Sequence, residues 1–268
     1  MAFFTLFFGS LFLFILLWFL FRKRLFTQIK ALPLSYYLKV GSFLIIYESL
    51  LYMAVGYAAS RESVIVVGII NYLWPGLTFL FSVPILGKKA KYSMLTFGII
   101  VAFAGTVIAV ILGNNLSTGQ LTESLARNFP VYLLALGGAV TWGIYSNMTR
   151  KYHIEEDIAA MPVLFLLSSV VILFILITKG QVPRLLLSGT DYLEFGYVVI
   201  FPSALAYLFW DRAMKKGDKD LISAFSYGIP LVSTLISCYY LGVVIGAGMI
   251  IAAVLVIAGA VLCRYSIH

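Results

Sequence analysis

Ten of the eleven acidic residues in the 268-residue chain sit in polar connections or at the ends of apolar runs. The exception is Glu48, in the middle of the run at 35–59. A carboxyl buried at that depth is costly and by default marks a functional position. Three roles suit it: contact with a substrate ammonium, carriage of a coupled proton, or a structural carboxyl held by a tyrosine or asparagine. A second group gathers at a proline. Asn71, Tyr72 and Trp74 adjoin Pro75, whose missing N–H frees a helical carbonyl to meet a ligand. Pro230 offers the same chemistry further on; both prolines are read as hinges, with a plain packing kink as the alternative. Trp74 lies near mid-run, too deep for an interfacial belt, and is a candidate cavity wall. Trp142 and Tyr145 are i, i+3 neighbours able to share one helix face. Tyr52, Tyr207 and Tyr227, with Tyr72, complete the candidate binding set, and ordinary packing is the alternative for each.

The absences narrow the chemistry. His153 and His268 are far apart, and Cys238 and Cys263 both lie in apolar runs. No metal site, cofactor or disulfide framework is expected from them. No Lys or Arg is expected deep in a span, which disfavours phosphorylated substrates that need a buried cation. An integral membrane enzyme would want clustered His, Asp, Arg or Ser near one interface, and none is visible. One carboxylate among many aromatic rings suits a small zwitterion bearing a ring, or an organic cation.

These side chains need elements to hold them. The chain is 62% hydrophobic and 11% charged, with a mean hydropathy of +1.02. Such a composition suits a lipid solvent and is too poor in charge for a soluble domain. Apolar runs near 2–21, 35–59, 64–86, 92–112, 129–149, 158–178, 192–211, 220–241 and 243–263 are long enough to cross a bilayer. They lack the alternation of barrel strands, so the expected class is an all-α polytopic membrane protein with nine transmembrane helices. The first run is too long for a signal peptide and is followed by Arg22-Lys23-Arg24.

Sorted by alternate connections, fifteen Lys and Arg fall on one side and four (Arg61, Arg127, Lys179 and Arg184) on the other. The basic side is cytoplasmic, which predicts an external N-terminus and a cytoplasmic C-terminus. The formal charge of +8 is thus a topology signal, and no nucleic-acid partner is expected. Asn115-Leu116-Ser117 fits a weak glycosylation sequon on the outer side, and Glu155-Glu156-Asp157 reads as a solvated loop.

Shifted by 155 residues, the sequence partly matches itself. Tyr52 falls on Tyr207, Ala58 on Ala213, Tyr72 on Tyr227, Pro75 on Pro230 and Leu86-Gly87 on Leu241-Gly242. One residue off that register, Gly105 falls on Gly259. The stripe Gly68, Asn71, Pro75, Thr78 and Ser82 falls on Ser223, Ser226, Pro230, Ser233 and Ser237, each set on one helix face. Five spans separate equivalent helices, so the copies insert in opposite senses, as in many secondary transporters. The expected organisation is a first repeat at 1–113, an external linker at 114–128 and a second repeat at 129–268. The helix equivalent to the Trp142-Gly143 span would fall before Met1, so the first repeat is expected to lack its opening helix.

Tyr47-Glu48, Gly56-Tyr57-Ala58-Ala59, Asn71-Tyr72-Leu73-Trp74-Pro75, Trp142 with Tyr145, and Ala206-Tyr207 with Trp210 carry a family resemblance. Over essentially the whole chain the sequence resembles the drug/metabolite transporter superfamily in its EamA-type branch, and within it the aromatic amino acid exporters of the YddG type. The resemblance implies a ten-helix fold of five plus five inverted helices around a central cavity lined from both halves. It also implies a bacterial inner-membrane protein exporting aromatic or hydrophobic amino acids by alternating access. A proton-coupled efflux carrier for cationic drugs or other metabolites is the alternative. Oligomeric state and energy source are left open by the sequence.

Overall fold

Hydrocarbon offers the backbone no hydrogen-bond partner, so each apolar run must satisfy its own N–H and C=O groups, and helices result. The computed structural model describes residues 1–22, 24–114, 117–154, 159–185, 187–240 and 247–268, and among them no strand of a sheet occurs. The helices are α1 (Ala2–Phe21), α2 (Arg24–Ala31), α3 (Leu34–Tyr36), α4 (Ser42–Tyr57), α5 (Arg61–Asn71), α6 (Trp74–Leu86), α7 (Tyr92–Asn114) and α8 (Thr118–Arg127). They continue with α9 (Phe129–Lys151), α10 (Ala160–Thr178), α11 (Asp191–Val198), α12 (Ala206–Lys216), α13 (Lys219–Ser226), α14 (Gly228–Tyr240) and α15 (Ala247–Ser266). Wider π turns at Tyr37–Gly41 and Val199–Leu205 join α3 to α4 and α11 to α12. Lys23, the asparagine of the sequon, the Glu155-Glu156-Asp157 run and the Leu241-Gly242 pair lie outside the described residues.

The protein is an all-α polytopic membrane protein. Among the described residues, eight helical segments are long and apolar enough to span a bilayer. The expected span at 220–241 differs: it is two helices, α13 and α14, interrupted at Tyr227. Pro230 stands in the first turn of α14, where its missing N–H does no harm, whereas an unbroken helix would lose that bond. The same device ends α5 and starts α6, with Pro75 the second residue of α6. The span expected at 192–211 also differs, because helix continues through Lys216.

Two compact units are present. The first comprises Met1–Ser49 and Met148–Gly217. Within it α1 packs on α10, where the Ser10 hydroxyl donates to the Pro162 carbonyl at 2.7 Å. At its C-terminus α1 turns sharply: Arg22 takes a φ of 49° and its N–H bonds the Trp18 carbonyl at 2.7 Å before α2 begins.

The second unit comprises Leu50–Asn147 and Asp218–His268. Its main seam is α7 against α15, running antiparallel. Gly98 faces Gly259 and Cys263, while Gly105 faces Ala252 and Val256. Under a 154-residue offset these contacts are reciprocal, as a twofold axis would make them: Gly98 corresponds to Ala252 and Gly105 to Gly259. At one end of the seam, Lys89 and His268 exchange backbone hydrogen bonds of 2.9 and 3.0 Å. Phe79, Leu95, Ala102, Tyr227, Val256 and Cys263 form the core beside it.

Nearby, Asp218 caps α13. Its carboxylate accepts from the N–H groups of Asp220 and Leu221, both at 3.1 Å, and from the Arg264 guanidinium at 2.8 Å. Lys88 pairs with Asp220. The Arg264 hydrogen bonds, helped by the backbone N–H groups, hold Asp218 down to about 2 from the usual 3.8.

Two outcomes follow from this unit. A Cβ at Gly259 runs into the Ala102 backbone, whereas nothing lies within 4 Å of one at Gly68. Gly259→Ala therefore costs about 2 kcal/mol and Gly68→Ala gains about 0.5 kcal/mol, read as opposite Tm shifts in detergent; equal shifts would refute the close seam. A depressed carboxyl pKa contributes stability that is complete above the unfolded value and lost as pH falls through about 2. The Tm gap between wild type and Asp218→Asn is thus constant between about pH 5 and 8. A gap that varies over that range would show that another group governs the cap.

Candidate functional site

Glu48 belongs to the first unit and lies a turn and a half into α4. It is only 2% exposed. A side-chain hydrogen bond joins it to Tyr207 in the first turn of α12, and its Oε1 atom has no hydrogen-bond partner. Aromatic rings close in around the bond. The rings of Tyr47 and Tyr207 are 6.4 Å apart, and Phe165 of α10 meets Tyr207 edge-on at 5.3 Å. A carboxyl with one oxygen held and the other open, walled by rings, has the chemistry to receive a cation that brings its own donors.

Further along α12, Asp211 and Lys215 form a buried ion pair, with side chains 2% and 3% exposed. Thr149 of α9 donates to Asp211 at 2.8 Å, and Lys215 donates to the Tyr36 hydroxyl at 3.2 Å. Sequence reasoning missed this group. The apolar run ends at residue 211, so the sequence alone assigns Lys215 to the fifteen cations of the cytoplasmic side. The available signal was spacing: Tyr207, Asp211 and Lys215 recur every fourth residue, with an acid four before a base. Lys215 is buried yet stands in the last turn of the helical segment Asp191–Lys216, at the end of the span and not deep within it.

The remaining candidates belong to the second unit, and several meet there. Trp74 and Trp142 pack edge-to-face with centroids 6.0 Å apart, and Trp142 lies 5.5 Å from Tyr145. All three are buried. Gly143 explains how α9 comes so near α6, since a Cβ there would press on Leu77 and Phe81 at 3.1–3.2 Å. The close approach lets the Asn147 amide donate to the Thr78 carbonyl at 2.9 Å and to the Gly143 carbonyl at 2.8 Å.

Asn71 and Tyr72 are half-buried at the α5–α6 break. Pro75 has no N–H to donate back to the Asn71 carbonyl, and beside it the Asn71 Oδ1 atom has no hydrogen-bond partner. Tyr52, one turn beyond Glu48 along α4, is half-buried in the second unit. Tyr227 lies in the core of that unit among Phe79, Leu95 and Val256, its hydroxyl end filling the space beside Gly76. Pro230 stands just past the break at Tyr227. Among the described residues no group of His, Cys, Asp and Glu is placed to hold a metal ion.

The profile of the EamA-like transporter family matches residues 129–265. The chain is 30% identical over 230 residues to the aromatic amino acid exporter YddG of Salmonella typhimurium (strain 14028s / SGSC 2262), covering 85% of this chain and 76% of that relative. It is 26% identical over 238 residues to the aromatic amino acid exporter YddG of Escherichia coli (strain K12), covering 89% of this chain and 80% of that relative. A protein of known crystal structure shares the fold with a TM-score of 0.77 at 22% identity, over 98% of this chain and 86% of its own.

The α6–α9 contact is testable through Asn147. Asn147→Leu keeps the side-chain size but removes the hydrogen bond between α9 and the Thr78 carbonyl of α6, and costs about 1 kcal/mol, read as a lower Tm in detergent. An unchanged Tm would mean that this bond adds nothing to the packing of α9 on α6.

Proposed function

The chain belongs to the EamA-like transporter family, and from that premise we propose that it exports aromatic and other hydrophobic amino acids across a bacterial cytoplasmic membrane. Transport proceeds by alternating access through an aromatic-lined cavity, with the C-terminus in the cytoplasm. The observation that carries the reading is Glu48: a buried carboxyl with one oxygen bonded to Tyr207 and Oε1 open. The substrate ammonium takes that open oxygen. A charge-assisted hydrogen bond in a site without water is strong enough to select it.

Beside that acid the rings of Tyr47, Phe165 and Tyr207 suit the ring of the substrate, and within the second unit Trp74, Trp142 and Tyr145 form a further aromatic group of the same chemistry. A zwitterion's carboxylate needs N–H or O–H donors, and within the second unit the Asn71 amide and the hydroxyls of Tyr52 and Tyr72 are groups of that chemistry. Pro75 and Pro230 interrupt their spans and serve as the points where those helices bend during transport. The repeats at 1–113 and 129–268, joined by the linker at 114–128, supply the two opposed halves; the reciprocal α7–α15 contacts support this.

A second reading is favoured by the same acid. An organic cation satisfies Glu48 without needing any carboxylate partner, as in a proton-coupled drug efflux carrier.

Counterflow of labelled phenylalanine, tryptophan and threonine in proteoliposomes, with and without a pH gradient, separates the readings. Phenylalanine and tryptophan exchange faster than threonine, and Glu48→Gln lowers phenylalanine exchange about tenfold or more. Should Glu48→Gln leave the rate intact, the acid does not bind the substrate. Should exchange be confined to permanent cations, the drug carrier is the better description.

A further inference from the structure

The side chains of Tyr207, Asp211 and Lys215 share one face of α12 and are spaced about 6 Å apart along its axis. Each reaches a different helix of the first unit: Tyr207 bonds Glu48 on α4, Asp211 accepts from Thr149 on α9, and Lys215 donates to Tyr36 on α3. Arg150 finishes the arrangement. Its guanidinium bonds the Met214 and Gly217 carbonyls at 3.2 Å, and that of Lys215 between them, satisfying the last-turn acceptors of α12.

A buried ion pair is a poor source of stability, because desolvating both charges cancels most of their attraction. Its better-attested use is to specify one arrangement over near alternatives. Here an arrangement needs specifying. The chain enters α12 from the π turn Val199–Leu205, which contains Pro202 and so lacks one backbone donor. That entry does not fix the rotation of α12 as a regular helix would. Rotation matters at the other end of the face, since a turn of ~20° carries a hydroxyl ~8 Å from the axis through about 3 Å. The Tyr207–Glu48 hydrogen bond does not survive such a shift.

We propose that the Asp211–Lys215 pair, held by Tyr36 and Thr149, is a positioning device for the substrate site. It locks the rotation of α12 so that Tyr207 occupies one oxygen of Glu48 and leaves Oε1 for the substrate ammonium. Asp211 and Lys215 are positioning residues that act through Tyr207. The inference rests on the reading of Glu48 as the ammonium-binding acid.

The test is a cycle of variants in the full chain, with KM and Vmax for labelled phenylalanine in proteoliposomes. Tyr207→Phe raises KM about tenfold. The double variant Asp211→Asn/Lys215→Met removes both charges without stranding either, and raises KM by a similar factor with Vmax little changed. Adding Tyr207→Phe to the double variant changes nothing more, because the hydroxyl is already misplaced. The proposal is overturned if the double variant keeps the wild-type KM, or if the Tyr207→Phe effect multiplies in full upon it. Should the double variant not fold, Tyr36→Phe, which loses only a hydroxyl, takes its place in the cycle with the same expected non-additivity. Glu48→Gln distinguishes the two levels. If it keeps the wild-type KM, the site reading falls and this proposal with it; if it loses binding while the double variant does not, only the positioning role is overturned.

Discussion

The absence of water in the bilayer core governs this molecule. Every backbone polar group must be met inside the protein, so regular helix is the default and each departure from it must be accommodated. The departures are few and placed by residue type. Pro75 and Pro230 sit in first turns, where a missing N–H does no harm. The π turns at Tyr37–Gly41 and Val199–Leu205 widen the ladder without cutting it. The same constraint gives Glu48 its meaning. In water an unpartnered carboxyl oxygen is commonplace, but in a span it is an unmet demand that a ligand can satisfy.

Helix association follows from the solvent as well. Lipid tails are as apolar as leucine, so burying apolar side chains gives little drive for helices to meet, and close packing of small residues takes over. In the second unit Gly98, Ala102, Gly105, Ala252 and Gly259 bring two backbones together, and Gly143 does so for α9 and α6. In the first unit polar side chains do more of the fastening, through Ser10, Thr149, Asp211 and Lys215. Both means serve in each unit: Asn147, the Lys88–Asp220 pair and the Asp218–Arg264 pair also fasten the second, and Gly9 lies close against Phe165 in the first.

How much of this was legible in the sequence depends on what each feature needs. The run at 2–21 became α1 with the same limits, because nothing in it competes with helix. Glu48 stood out by contrast with its neighbours alone. Its bond to Tyr207 did not, since an offset of 155 places those residues in related halves without saying which faces meet. Asp211 and Lys215 were hidden because a charge after a long apolar run usually marks the water boundary, whereas a mutually satisfied pair at the end of a span can be buried in the protein. The break at Tyr227 was signalled by Pro230, yet composition alone does not separate a kink from two helices.

The α7–α15 seam bears on how the two halves can diverge. Under the proposed repeat, Glu48 corresponds to Ser203, so the acid belongs to one copy alone. At the seam each small residue is the space its counterpart's neighbour occupies, so Gly98 and Gly259 form one joint requirement and Gly105 and Ala252 another. A larger side chain in either half must be matched by a retreat in the opposite half. On the proposed repeat, the two copies can differ in chemistry away from this seam, while the residues along it are expected to change together.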